Sequence, residues 1–211
     1  PTAPTSASSD VNNFCSDAGG NISLSAVGGS GTTLNWYTGS CGGTPAGTGN
    51  PLTITKPTTT TTYFARWETA GCAASACASV TVTVNIAPTF TNCPTIQAAF
   101  TASNSCAAVV NYTAAASGSP APAYTYQFTG ATTSSGSGTG SGSSFNKGLT
   151  NVTVTAQNSC GMPTCSFTVT VTDNVPPTVA CPPNTTVLNT NAGASCAITI
   201  PDYIAALTPT D

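Results

Sequence analysis

Two stretches of the chain, SVTVTVNI (Ser79–Ile86) and SFTVTVTD (Ser166–Asp173), place Val, Ile or Phe at every second position with a polar residue, mostly Thr, between. A period of two sends successive side chains to opposite faces of a pleated strand, so each stretch predicts a strand with one buried face and one wet face. Thr suits the wet face because its β-branched side chain fits an extended backbone. The two copies start 87 residues apart. Each leads into a Pro-containing opening, APTFTNCP from Ala87 and VPPTVACP from Val175, and a similar opening, PTAPTS, begins at Pro1. A repeat of this length predicts a tandem array. Its modules are 1–86, 87–174 and a further one begun at 175–211, of which only the first strands are present.

The remaining strands follow from the same pattern, separated by Gly and Pro clusters that read as turns. In 1–86 they are NISLSAVG, TLNWYTG, LTIT and TTYFARW; in 87–174 they are TIQAAFT, AAVVNYT, YTYQFTG and NVTVTAQ. No segment has a helical period. The fold class is therefore all-β, a series of β-sandwiches each with one apolar layer between two sheets. The tract ATTSSGSGTGSGSS, residues 131–144, has no side chain large enough to pack and is expected to be a mobile loop, open to a binding or glycan-bearing role.

Composition narrows the function. Only three basic and six acidic residues occur, there is no His, and the net charge is −3. Without a basic stripe to neutralise phosphates, nucleic acid is not an expected partner. No run reaches the roughly 18 apolar residues of a membrane span. Neither an initiator Met nor a charged-then-apolar leader is present, as in a mature form or a segment of a longer chain. Ten cysteines, with no His and few acids to share a metal, read as disulfides formed in an oxidising compartment. The closest pairs are C-x4-C among strand-forming residues, which does not suit zinc.

Catalysis is not expected, since hydrolysis needs a positioned base and nucleophile or two facing carboxylates. A Ser–Lys pair around Lys147 is discounted because the Ser/Gly tract supplies serines without any design. Asp173, beside Asn174 at a module boundary, is one carboxylate where a calcium site needs several, so it reads as a turn former. No cofactor and no metal are expected.

The second module resembles a hyalin-repeat (HYR) domain. The resemblance is carried by NCP at 92–94, CAAVVNY at 106–112 and the run FNKGLTNVTVTAQNSCGMPTCSFTVTVTDNVPPTVACP from Phe145 to Pro182. The family's mid-domain Asp-Asn-Cys is replaced by the Ser/Gly tract, and Cys160 is extra. The first module is similar to an Ig-like domain of Bacteroidota surface proteins, in NISLSAVGGSGTTLNWYTGSCGGTPAGTG, TTTYFAR and GCAASACASVTVTV. Together the resemblances imply tandem Ig-like β-sandwich modules that act as spacers or adhesive units on a bacterial surface.

Within that frame local disulfides are expected: Cys15–Cys41 at one end of a sandwich, Cys72–Cys77 and Cys160–Cys165 across hairpin mouths, and Cys93–Cys106 recurring as Cys181–Cys196. The competing scheme joins Cys93 to Cys165 and Cys106 to Cys160. Candidate N-glycan sites are Asn21, Asn111, Asn151 and Asn184, and candidate O-glycan sites are Thr58, Thr59 and Thr60. Two strands do not bury a sandwich face, so Val187, Leu188, Ile198 and Ile200 are candidate assembly residues, covered by further repeats or by strands of a second copy. A head-to-tail contact of that kind propagates into a filament. The expected function is a non-enzymatic, structural or adhesive extracellular filament or stalk, whose candidate partners are further copies of the chain, further repeats of the same chain, and surface glycans. The alternative is a glycan- or ligand-binding accessory module of a larger secreted protein, which would need an exposed aromatic platform; Tyr124, Tyr126 and Phe128 alternate and read instead as one core face.

Overall fold

The computed structural model describes residues 1–102, 105–176, 178–179 and 209–210, and within them every regular element is a strand. The first module is built from β1 (Ser6–Ser9), β2 (Phe14–Cys15), β3 (Asn21–Val27), β4 (Thr33–Thr38), β5 (Thr44–Thr48), β6 (Leu52–Thr55), β7 (Thr61–Glu68) and β8 (Ala78–Val82). One sheet has the order β1-β3-β6 and the facing sheet the order β5-β4-β7-β8. Alternation sets what lies between them: Ile22, Leu24 and Ala26 of β3 face Leu34, Trp36, Tyr63, Ala65 and Val82 of the other sheet. Trp36 is fully buried at the centre, and its indole N–H donates to the Gly49 carbonyl at 3.0 Å, so its one polar atom is satisfied.

The second module contains β10 (Gln97–Phe100), β11 (Ala107–Val110), β12 (Ala115–Ser119), β13 (Ala123–Gly130), β14 (Ser134–Ser137), β15 (Ser143–Asn146), β16 (Gly148–Gln157) and β17 (Thr164–Thr172), preceded by the strand β9 (Val84–Asn92) that it shares with the first. A five-stranded sheet runs β10-β17-β16-β13-β14, with β10 parallel to β17. It is faced by the pairs β11–β15 and β9–β12, because residues 111–114 interrupt the chain between β11 and β12. Phe128, Phe145 and Phe167 fill the core with Val152, Val154, Val169 and Val171. The Phe128 and Phe145 rings lie 4.8 Å apart, and Tyr112 meets Phe167 edge-on at 4.8 Å. Beyond Asp173, β18 (Thr178–Val179) pairs antiparallel with β19 (Pro209–Thr210). Sheet order and core placement make this a tandem of Ig-like β-sandwich modules.

The Ser/Gly tract departs from its expected mobility. Its residues Ser134–Ser137 form β14, paired to β13 from Thr125↔Ser137 to Phe128↔Ser134. Thr132 is buried; its hydroxyl accepts from the Asn146 N–H at 2.8 Å and its own N–H donates to the Thr150 hydroxyl. Gly140 closes the turn at φ +76°, against the Phe128 ring and the Tyr112 hydroxyl, where any side chain would collide. An edge strand needs no bulky side chain to form, only backbone groups to pair, and so composition hid it.

The cysteines also pair otherwise than expected. Among the described residues the bonds are Cys15–Cys160, Cys41–Cys77 and Cys93–Cys165, while Cys72 and Cys106 are free and exposed. Thus Cys15–Cys41, Cys72–Cys77, Cys93–Cys106 and Cys160–Cys165 are all replaced, and only the Cys93–Cys165 half of the competing scheme is present. Cys165 sits opposite Val154 and faces the core, whereas Cys160 lies in the turn before it, so the two do not meet across the hairpin. The β4–β5 turn folds back until Gly42 lies against the Arg66 guanidinium, which carries Cys41 to Cys77 at the start of β8. The expected Cys181–Cys196 pair, Asn184 and the assembly residues Val187, Leu188, Ile198 and Ile200 lie outside the described residues.

Replacing Trp36 with Ala removes the largest side chain of the first core, at a cost of about 3–5 kcal/mol for a buried aromatic. Urea unfolding of Trp36→Ala is expected to begin well below the wild-type midpoint, and an unchanged midpoint would contradict this packing.

Candidate functional site: the junction between the modules

No linker separates the two sandwiches. β8 and β9 are divided only by Thr83, and β9 then runs through Ile86, Ala87 and Pro88 without a break. Its first residues pair with β2 of the first module (Phe14↔Val84, Cys15↔Asn85), and its later ones pair with β12 of the second (Ile86↔Ser119 to Asn92↔Ala115). The result is one three-stranded sheet, β12-β9-β2, that belongs to both modules. Pro88, expected to punctuate the chain, is instead carried inside the strand. It has no N–H to offer a partner, and the register opposite it shifts between Ser117 and Ser119, a bulge where a missing donor is tolerated.

Asparagines hold the approach to this strand. Asn13 adopts φ 58°, a left-handed conformation that Asn accepts more readily than most residues, and so turns the chain from β1 towards β2. Asn12 accepts from the Thr83 N–H at 2.7 Å and donates to the Thr81 carbonyl at 3.2 Å, while the Asn13 N–H donates to the Thr83 carbonyl at 3.1 Å. The hydroxyl of Thr60 both accepts from the Val84 N–H and donates to the Val84 carbonyl.

On the other side, the β16–β17 turn reaches back across the boundary. Asn158 donates to the Ile86 carbonyl at 2.8 Å and to the Pro120 carbonyl at 2.9 Å, and its side-chain oxygen accepts from the Cys160 N–H at 2.8 Å. Gly118 leaves room for it, since a Cβ there would stand 3.1 Å from both the Asn158 amide nitrogen and Pro88 Cα. The turn so held presents Cys160 to Cys15, which β2 has placed beside Asn85; the bonded pair has Cα atoms 5.6 Å apart. Asn85 adds a bond to the Ser159 hydroxyl at 3.5 Å. Strand continuity, an asparagine clamp and a covalent bond all cross the same boundary.

Other polar features are placed as follows. Tyr37 donates to Glu68, and Arg66 pairs with the same carboxylate, beside a cleft of about 490 Å³ that is also lined by Thr33, Asn35 and Cys72. The Tyr37 and Arg66 bonds hold the Glu68 carboxyl below its ordinary range, and the bond to Glu68 raises the Tyr37 hydroxyl. Asp173 binds the Lys147 ammonium at 2.9 Å, the Val175 N–H and the Thr101 hydroxyl, the Lys147 bond being first in lowering its pKa. Burial pushes Tyr112 up to about 12. Among the described residues no three of His, Cys, Asp and Glu gather as metal ligands. Asn21, Asn111, Asn151, Thr58 and Thr59 are exposed, as is Thr60, whose hydroxyl is engaged with Val84. Tyr124, Tyr126 and Phe128 pack on the second core, with the Tyr124 hydroxyl bonded to Ala116, so these rings form no exposed platform. Asn158 and Asn85 were not legible as functional residues in the sequence; Cys160, extra to the resembled pattern, was the one available signal.

Asn158→Ala leaves two carbonyls and an N–H to water or to nothing, at a cost of about 1–2 kcal/mol. Asn158→Asp keeps the acceptor but sets a carboxylate against two carbonyls, so at pH 7 urea unfolding should place it at or below Asn158→Ala. Wild-type stability in both variants would contradict the clamp. The carboxylates of Glu68 and Asp173, depressed in the folded state, add stability that is present above about pH 4 and lost as pH falls through their folded values. The raised tyrosines add stability that is present below about pH 10 and lost as pH rises towards the Tyr112 value. With no His to titrate between them, Tm is expected to be flat from about pH 5 to 9 and to fall on both sides.

Comparison with known proteins agrees on the first module. Residues 1–85 match the family model described as Ig-like domain, CHU_C associated. No curated protein sequence matches the chain. Among solved structures, the insect immune protein hemolin matches at TM-score 0.42 and 18% identity, over 80% of this chain and 46% of that one. The titin I-band fragment I67–I69 matches at 0.48 and 14% identity, over 81% and 69%, and Sidekick-1 immunoglobulin domains 1–4 at 0.44 and 15%, over 79% and 48%. The chain thus spans less than half of the hemolin and Sidekick-1 chains. Residues 1–85 carry an Ig-like domain.

Proposed function

We propose that the chain is a non-enzymatic extracellular structural protein whose two modules form a stiff, load-bearing unit of a filament or surface stalk. The observation that carries this reading is the junction: β9 belongs to both sandwiches, and Cys15–Cys160 ties them covalently. Independent binding modules are ordinarily joined by exposed linkers that let them reorient. A unit without such a linker transmits direction and force. The three disulfides among the described residues are the chemistry of an oxidising compartment, in line with an extracellular or surface location. The resemblance of the second module to HYR domains, and of the first to Bacteroidota surface modules, supports a bacterial surface array in which further repeats or further copies continue the unit through residues 175–211. The surface carries few charges and many hydroxyl and amide groups, which suits glycan attachment at the exposed Asn and Thr candidates.

Gold-labelled antibody against the folded modules, applied to intact source cells, is expected to decorate fibres or stalks in electron micrographs. A protein recovered only as a dispersed species in the medium would overturn the reading. Sugar release from the native protein tests the glycan part, and its absence would remove that part alone.

A further inference from the structure

The disulfide map also decides where tension runs. Tension along the backbone enters the module pair through the 14 residues before Cys15 and leaves through the 13 residues from Gly161 to Asp173. Between these stretches the shortest covalent path is the Cys15–Cys160 bond, which spans a sequence separation of 145. Everything between Cys15 and Cys160 hangs from that bond as a closed loop. The Cys41–Cys77 bond lies wholly inside the loop. The Cys93–Cys165 bond ties the loop to β17, five residues beyond Cys160, and β17 lies between β10 and β16 in the five-stranded sheet.

We propose that Cys15–Cys160 is a covalent load bypass, which carries tension from the start of the first module directly into the last strand of the second. Of the buried core residues only Phe14 and the β17 side chains Cys165, Phe167, Val169 and Val171 then lie on the load path, and the rest of both cores hangs from the bond. Pulled until every non-covalent contact fails, the oxidised pair exposes only those 27 residues to extension, about 95 Å at ~3.5 Å per residue. The longest strands of the two modules, eight residues in β7 and ten in β16, already measure roughly 60 Å laid end to end. The unit therefore lengthens by no more than a few tens of ångströms under forces that would unravel an ordinary tandem of sandwiches. The bypass deepens the load-bearing reading and rests on it for its purpose, but not for its physics.

The test is single-molecule pulling from handles at the two chain ends, in a Cys181→Ser/Cys196→Ser background so that residues after Asp173 contribute equally to every trace. Oxidised protein is expected to show no long extension step. Dithiothreitol should add about 500 Å of contour length, the 145 residues at ~3.5 Å each. Cys41→Ser/Cys77→Ser, oxidised, should match the parent protein, because its bond lies inside the shielded loop. Cys15→Ser/Cys160→Ser, oxidised, should add about 130 Å: the 145 residues less the 72 and 36 still held by the other two bonds, at ~3.5 Å each. Steps of several hundred ångströms from the oxidised parent would overturn the bypass, as would a Cys15→Ser/Cys160→Ser trace no longer than the parent's. If that variant does not fold, the dithiothreitol comparison on prefolded protein decides alone. A confirmed bypass in a protein that antibody labelling finds dispersed in the medium would sink the load-bearing reading and leave the bypass standing; labelled stalks with a freely extensible oxidised protein would do the reverse.

Discussion

β9 cannot belong to one module without committing the other. Its early residues complete the first sandwich through β2, and its later residues complete the second through β12. Val82 and Val84 point into the first core, yet Ile86, next in the same alternation, is about half exposed, because by then the strand has left that core. Its carbonyl is instead claimed by Asn158. Rotation of one module against the other would have to break ladder bonds, the asparagine clamp and a disulfide together. Stiffness here is thus a property of strand pairing, with the sulfur bond added where β2 and the β16–β17 turn already meet.

The same economy governs the surface. With nine charged residues in the chain, long-range electrostatics contribute little, and the polar work falls to amides and hydroxyls. Asn50 shows the pattern: its side chain both accepts from the Ala26 N–H and donates to the Ala26 carbonyl, in the way a neighbouring strand would. Tyr112, Tyr124 and Thr132 likewise spend their polar atoms on backbone groups. Such bonds are short-range and unaffected by salt screening. The two described ion pairs sit well apart, Arg66–Glu68 on β7 and Lys147–Asp173 beyond the far ends of β15 and β17.

Most of the architecture was legible because strands announce themselves locally. The alternation in SVTVTVNI and SFTVTVTD, with Gly and Pro between strands, reports burial one residue at a time, and burial is what places a strand in a sandwich. The disulfides were not legible, because a bond depends on which face each sulfur takes and on how turns fold back. Cys160 and Cys165 are five residues apart in sequence but face different ways. The Ser/Gly tract misled for a related reason: the pairing of β14 to β13 is made by backbone, which composition does not encode. Asn158 looks like any turn asparagine until Ile86 and Pro120, 72 and 38 residues away, are brought to it.

The separation of Cys15 from Cys160 has a further consequence, in time rather than space. A chain made from its amino end exposes Cys15 first, and at roughly 5–20 residues per second its partner follows about 7–30 s later. During that interval Cys41, Cys72, Cys77, Cys93 and Cys106 all emerge before Cys160 does. The pairs that sequence proximity favours are then the wrong ones, and the correct bond waits until both sandwiches have folded and β2 lies beside the β16–β17 turn. The finished unit therefore depends on the order of its own synthesis: folding must come first and oxidation last, or an isomerase must undo the early errors.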